Sequence, residues 1–474
     1  HQTDSLLILN QLVNSWIVYY LYLYIIDQDI QMKRLLRILW SILLLAQTVT
    51  AYSHDSTSVS VRPKVGLVLS GGGAKGAAHI GVLKYIEEAG IPIDYIAGTS
   101  MGSIVGGMYA LGYSSDEILD IINTIDWDRL ISNQVERQRI SYTGKSENST
   151  QLVTIPFSVG TDEEELQSRS FKNSLPTGIV SGDNLINLFN SLSVGYSDPV
   201  DFDELPIPFL CIATNVVNGK ADVLDKGIFS KSIRASMAIP LLFDPVKIDD
   251  ALYTDGGLVN NFPAEQCRAM GADYIIGVSM SSGLESDPEN LTSLFSQVKQ
   301  LKVIITDQEF ENYHKMCDIF ISPEVNGVGM LSFDKESISR MTSSGYEAAS
   351  RYEAEFQALK EMLQEAPAEA FDEDQQAKKA INILQNQVLI SEIRMEGVEK
   401  DIEKWIRRRC TVKVGDLVCK DDIDKSVSIY YGTGNYSSIT YTLHEDASVE
   451  GAYVLNFRFV ENPPHDFGLG FRFD

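Results

Sequence analysis

Three short stretches carry residue types that do covalent chemistry or hold the charge it generates. Gly98-Thr99-Ser100-Met101-Gly102 sets a serine between two glycines, after an apolar run ending at Ala97 and before a helical segment from Met101 to Leu111. In that strand–turn–helix context the pattern is a nucleophile elbow: the glycines allow a sharp turn and close neighbouring chain, and the hydroxyl is left at a helix N-terminus. Ser70-Gly71-Gly72-Gly73-Ala74-Lys75-Gly76 follows the apolar run Val65 to Leu69 and opens a helix through Ala77 to Ala89. Unencumbered amides at a helix start bind any anion, a pyrophosphate or a tetrahedral oxyanion alike, so this loop alone does not choose between them. Asp255-Gly256-Gly257 is the third stretch, and taken alone an Asp-Gly-Gly is most often a turn.

The elements that must position these residues alternate from Lys64 to about Pro323. Val65 to Leu69, Tyr95 to Ala97, Phe209 to Ala213, Tyr274 to Val278 and Ile319 to Ser322 are short apolar strands separated by helical segments, the pattern of an α/β domain on a mostly parallel, buried sheet. Glu336 to Gln364 places Ala349, Tyr352, Phe356, Leu359 and Leu363 at helical spacing and predicts one long closing helix. Glu365 to Gln376, rich in Ala, Pro, Glu, Asp and Gln, predicts a linker. Beyond Gln387 come an extended run Val388 to Met395, helices near Lys400 to Arg409 and Asp421 to Tyr431, and two strands, Ile439 to Leu443 and Tyr453 to Val460.

The three motifs, in this order, resemble the patatin-like phospholipase family, whose signature is a Gly-rich oxyanion loop, a G-x-S-x-G serine and a downstream D-G-G or D-G-A. Ser181-Gly182-Asp183-Asn184-Leu185, the run Ile233 to Pro240 and Asn260-Asn261-Phe262-Pro263 also look like that family, and the resemblance covers about Lys64 to Tyr346. It implies a three-layer α/β domain and a Ser/Asp dyad in place of a triad. Ser100 would form the acyl-enzyme, Asp255 would take its proton, and the amides of Gly71, Gly72 and Gly73 would hold the oxyanion. Gly76, Gly98, Gly102, Gly256 and Gly257 complete the motifs. The substrate implied is a membrane phospholipid or another fatty-acyl ester, cleaved through an acyl-enzyme.

That assignment asks much of an aspartate, because an ordinary carboxylate with a pKa of about 4 is a poor base for a serine hydroxyl. A histidine would be the rival. His444 and His465 fall outside the catalytic segment, His314 sits beside Tyr313, Lys315 and Met316 in a surface helix, and His79 reads as a packing or loop-bracing residue. Lys75 is open between fixing the loop, meeting an anionic head group and lying in solvent, and Arg234 is equally open. Cys211, Cys267 and Cys317 read as small buried hydrophobes, whereas Cys410 and Cys419 leave both a bridge and two free thiols open. No Cys/His spacing forms a metal site and no calcium loop occurs, so no metal or organic cofactor is implied.

The order strand, helix, helix, strand, strand over 387–461 resembles a POTRA domain, the periplasmic module that precedes outer-membrane barrels. Residues 465–474 then alternate apolar with small or polar side chains, as a first barrel strand would. A barrel needs at least about eight strands, which predicts that the intact protein continues beyond Asp474. At the other end, Met32, Lys33, Arg34 and Arg37, the apolar Ile38 to Ala46 and Val49-Thr50-Ala51 read as a signal peptide over 32–51, with 1–31 an upstream segment instead of a membrane anchor. The implied location is the outer membrane, cell surface or periplasm of a Gram-negative-type bacterium. An apolar fraction of 44% and a charged fraction of 22% are those of a globular chain of more than one domain, and a formal charge of -26 without a basic stripe argues against a nucleic-acid partner. The alternative to a hydrolase is an outer-membrane translocation or assembly module whose hydrolase-like domain binds lipid with little turnover.

Overall fold

The computed structural model describes residues 62–132, 153–157, 178–281, 288–292, 313–365, 379–462 and 465–469, with Gln297 and Gln300. The expected signal peptide, the upstream segment 1–31, most of the expected linker and residues 470–474 lie outside the described residues.

The catalytic segment is built on an eight-stranded sheet. Its elements are β1 (Val65–Leu69), α1 (Ala78–Ala89), β2 (Tyr95–Thr99), α2 (Met101–Ala110), α3 (Ser115–Thr124), α4 (Trp127–Ser132), β3 (Val153–Phe157), β4 (Gly178–Val180) and α5 (Asp183–Leu192). There follow β5 (Val200–Asp201), β6 (Phe209–Asn215), β7 (Lys220–Leu224), β8 (Lys226–Gly227), α6 (Phe229–Ser236), β9 (Leu241–Phe243), β10 (Val246–Ile248), β11 (Ala251–Asp255), α7 (Ala264–Ala269), β12 (Tyr274–Val278) and β13 (Ile319–Ile321). Two helices close it, α8 (Lys335–Ser350) and α9 (Glu353–Glu365).

Strands run in the order β10-β11-β6-β2-β1-β12-β13, with β7 also on β6. The pairings β6–β2, β2–β1, β1–β12 and β12–β13 are parallel, whereas β11 and β7 pair antiparallel with β6, and β10 with β11. The sheet is therefore mixed: a parallel centre of five strands with an antiparallel flank that the mostly parallel expectation did not include. Alternation along β1 fixes the layers. Leu67 and Leu69 face one buried cluster with Ile80, Leu83, Val105 and Met108, while Val68 faces a second with Phe262, Cys267 and Ile275. Burying each such Leu or Ile side chain contributes about 1.5–3 kcal/mol, which explains why the central strands have no polar position along β1 or on the inner residues of β12.

The expected single closing helix is two. Tyr352 breaks it, its hydroxyl turned in to donate to the Phe320 carbonyl at 2.7 Å, while Phe356 of α9 packs on Tyr85 of α1. α8 crosses α1 closely enough that a Cβ on Gly345 would lie 1.9 Å from the Ala78 carbonyl oxygen. Short strand pairs lie outside the main sheet: β4 with β9, β5 with β8, and β3 with β18 (His465–Leu469). His465–Leu469, expected to begin a barrel strand, is thus a strand paired antiparallel with Val153–Phe157.

The C-terminal part contains β14 (Val388–Glu396), α10 (Lys400–Arg409), β15 (Leu417–Val418), α11 (Lys420–Tyr431), β16 (Tyr436–Glu445) and β17 (Ala452–Glu461), with sheet order β15-β14-β17-β16. The expected order of strand, helix, helix, strand, strand is present, with the short β15 added. Residues 379–386, expected to be linker, are structured: Ile381 bridges Val194, and the Ile383 N–H donates to the Ser191 carbonyl at 3.0 Å. Cys410 and Cys419 are both free thiols, the first 3.7 Å from the Ser426 hydroxyl and the second donating to Asp422 at 3.2 Å.

Candidate active site

Ser100 sits in the turn between β2 and α2 with φ 53° and ψ −119°, a left-handed conformation that costs a non-glycine residue on the order of 1–3 kcal/mol. The surroundings hold it there. Its N–H donates to the Ser236 hydroxyl at 3.0 Å, and its carbonyl accepts from the Ser103 hydroxyl at 2.6 Å and from the Ser103 N–H at 2.9 Å. The flanking glycines have a steric reason. A Cβ on Gly102 would lie 2.1 Å from the Leu69 carbonyl oxygen, and one on Gly98 would lie 2.5 Å from that of Gly102. Backbone cannot give way there as a flexible side chain can, so the elbow admits no side chain at either position.

Asp255 arrives from the opposite flank, at the end of β11. Pairing with β6 carries it there: Asp255 lies opposite Ala213, and its N–H donates to the Ala238 carbonyl at 2.8 Å. Its carbonyl accepts the Thr214 hydroxyl at 2.9 Å, and a Cβ on Gly256 would lie 2.1 Å from the Ile212 carbonyl oxygen. One carboxylate oxygen, Oδ1, accepts the Gly257 N–H at 2.8 Å. The other, Oδ2, accepts the Ser100 hydroxyl at 2.6 Å across 155 residues of chain. Both residues are under a tenth exposed, at 6% and 8%.

The glycine loop runs directly against this pair, since a Cβ on Gly71 would stand 3.0 Å from that of Ser100. The Gly71 N–H donates to the Asn261 carbonyl at 3.4 Å and the Ala74 N–H to the Met330 carbonyl at 2.7 Å. Among the described residues the amides of Gly72 and Gly73, at the start of the 3-10 turn Gly73–Ala77, make no hydrogen bond outside it. Gly73 has φ 60°, where L side chains rarely go, and Gly76 packs so tightly on Met101 that a Cβ would reach its Cγ at 2.2 Å.

His79 is fully buried, and its Nε2 donates to the Ser70 carbonyl at 2.8 Å, bracing the residue that opens the loop. Burial pushes the ring down to about 4, so at neutral pH it is an uncharged brace. Its Nδ1 has no hydrogen-bond partner among the described residues. Lys75 is buried at 8% exposed, which removes the solvated reading of it. Arg234 is buried as well, donating through Nη2 to the Ser181 carbonyl at 2.9 Å and the Asp244 carbonyl at 3.1 Å. His444 bonds Asp198 and Thr442 instead of either active-site residue.

A small apolar cavity of about 30 Å³ touches Ser100, lined by Met101, Ile104, Leu185, Met237 and Phe243 together with Trp127 and Phe333. The last two rings are stacked, with centroids 4.2 Å apart. Motif reading missed Ser236, Ala238 and Thr214, which hold the backbone of Ser100 and Asp255. The only signal for Ser236 and Ala238 was the run Ile233 to Pro240, in which no residue type marks a role, and Thr214 lay unmarked in the apolar strand β6. No group of three or more His, Cys, Asp or Glu side chains poised for a metal occurs among the described residues.

Comparison with known proteins bears on the same segment. Residues 67–268 match the family model Patatin, described as patatin-like phospholipase. Over those residues the chain is similar to that family. The lysophospholipase NTE1 of Meyerozyma guilliermondii is 30% identical over 226 residues, 48% of this chain and 13% of that protein. An uncharacterized NTE family protein of Mycobacterium tuberculosis is 31% identical over 229 residues, 48% of this chain and 52% of its own length. The match thus spans about half or less of these curated relatives. Among solved structures, VipD from Legionella pneumophila has a TM-score of 0.35 at 16% identity, covering 64% of this chain and 67% of that one. The matched segment runs from Leu67 in β1 to Arg268 in α7 and so contains Ser100, Asp255 and the whole glycine loop Ser70 to Gly76.

Proposed function

We propose that the chain is a serine acyl hydrolase, a lipid esterase or phospholipase of the A type. The 2.6 Å hydrogen bond from the Ser100 hydroxyl to Asp255 carries this reading. A buried serine held in a strained turn at a helix start, with a carboxylate on its proton, is a nucleophile with its base in place. Ser100 Oγ attacks the ester carbonyl as Asp255 takes its proton. The amides of Gly72 and Gly73, with Gly71 beside them, face the growing oxyanion. The alcohol leaves with the proton from Asp255, and water, deprotonated by the same carboxylate, releases the acid from Ser100. The apolar cavity beside Ser100 receives the start of the acyl chain, which supports a fatty-acyl ester over a polar one.

Apart from the short β15 between its helices, the strand, helix, helix, strand, strand order of residues 388–461 supports a POTRA-like assignment for the C-terminal domain, and with it export to the periplasm or outer membrane. The dyad favours turnover over a passive lipid-binding role, because a binding site needs no proton acceptor on a serine.

Hydrolysis of p-nitrophenyl butyrate, p-nitrophenyl palmitate and a phospholipid by the full chain tests the hydrolase reading. Wild type is expected to turn over, and Ser100→Ala and Asp255→Asn to lose about 100-fold to 10,000-fold or more while still folded. An inert wild type, or an active Ser100→Ala, would overturn it.

A further inference from the structure

The turn Ser181-Gly182-Asp183, which opens α5, is gripped from two domains. On the catalytic side Arg234 of α6, 1% exposed, donates to the Ser181 carbonyl and lies over the Phe243 ring, 4.8 Å from its centroid. Gly182 has φ 80°, and a Cβ there would stand 2.3 Å from the Arg234 Nε. The strand pair β4–β9 and an Asp244 N–H to Val180 carbonyl bond of 3.0 Å lock the same turn to the chain that follows α6. On the C-terminal side Tyr431, the last residue of α11, donates its hydroxyl to Asp183 Oδ2 at 2.7 Å and accepts the Ile439 N–H at 2.9 Å. Burial and the Asp183 carboxylate hold this phenol far above its ordinary range, so it stays a donor.

Both ends of this contact lead somewhere. α6 ends at Ser236, whose hydroxyl accepts the Ser100 N–H, and Ala238 two residues later accepts the Asp255 N–H. α5 carries Leu185, part of the cavity wall at Ser100. The C-terminal domain is also seated on α5 independently of Tyr431. Its edge strand β16 presents unpaired backbone groups, and Asn187 answers them by donating to the Ile439 carbonyl at 3.1 Å and accepting the Tyr441 N–H at 3.0 Å. Asn190 donates to the Tyr441 carbonyl at 2.7 Å.

We propose that Tyr431 and Asp183 are positioning residues of the hydrolase. They hold the Ser181–Asp183 turn against Arg234 and so fix the helix on which the backbone of the Ser100–Asp255 pair rests. The C-terminal domain is then a working part of the active site and not an appendage. This rests on the hydrolase reading above.

The test uses the full chain and p-nitrophenyl butyrate. Tyr431→Phe keeps the ring and deletes only the hydroxyl, and it is expected to lower kcat about tenfold with KM within about twofold. Asp183→Ala, which removes the acceptor, is expected to do the same, and the double variant to lose no more than the worse single one, because both act on one contact. Asn187→Ala removes seating bonds without touching Asp183. It is expected to lower the urea midpoint and leave kcat within about twofold of wild type. If Tyr431→Phe does not fold, Asp183→Ala carries the kcat expectation alone. An active wild type with undiminished kcat in these variants would overturn the proposal. So would an Asn187→Ala loss of kcat equal to that of Tyr431→Phe, since general loosening of the domain would then explain both. An inert wild type instead removes the hydrolase reading itself.

Discussion

Mild acid should weaken this fold through His79, by an amount that follows from where the ring sits. The imidazole is fully buried, and burial lowers it from 6.5 to about 4, with the Ser70 carbonyl offsetting part of that shift. Above the unfolded value both states hold a neutral ring and His79 contributes no pH dependence. Below it the unfolded chain binds a proton that the folded chain refuses, so stability falls with falling pH until the folded ring itself protonates. The gap is worth about 3 kcal/mol in all, of which about 2 kcal/mol is gone by about pH 5. Urea unfolding at about pH 7 and pH 5, comparing wild type with His79→Gln, isolates the contribution, because every other titrating group is common to both. The amide of Gln can still donate to the Ser70 carbonyl but takes up no proton. His79→Gln is therefore expected to lose about 2 kcal/mol less than wild type between the two pH values. Equal losses would refute the reasoning and mean that the ring is hydrated or charged in the folded state.

Two further substitutions probe the site from other directions. Phe333→Ala removes one of the stacked rings lining the cavity at Ser100 and enlarges it, so kcat/KM for p-nitrophenyl palmitate relative to butyrate is expected to rise several-fold, on the order of tenfold at most; an unchanged ratio would place the acyl chain elsewhere. Gly102→Ala puts a methyl 2.1 Å from a backbone oxygen, so the elbow must move, and a loss of about 2 kcal/mol or more of unfolding free energy, measured by urea titration, together with activity is expected.

Much of the site was legible because its constraints are local. The elbow Gly98 to Gly102 reads correctly because the glycines answer to backbone atoms only a few residues or one strand away, and the central strands read correctly because a sheet covered on both faces needs unbroken apolar runs. β11 did not read as a strand. Ala251–Asp255 is short, two of its five residues are only partly buried, and it lies in the antiparallel flank between β10 and β6. Likewise the single helix expected over 336–364 has an apolar spacing that continues through Tyr352, and the break there coincides with a hydroxyl bonded to the distant Phe320 carbonyl, which no local spacing marks.

The sequence by itself determined the parts: a strained serine turn, an anion-ready glycine loop, an Asp-Gly-Gly, a βααββ tail. Backbone sterics and hydrophobic periodicity act between near neighbours, so residue type and spacing suffice to specify them. Only the tertiary structure decided that Asp255 meets Ser100, through the pairing of β11 with β6, and that Tyr431 reaches Asp183 across 248 residues. Those contacts depend on which strand edges and helix faces pair over long stretches of chain, and nothing in the local pattern around either partner encodes the other.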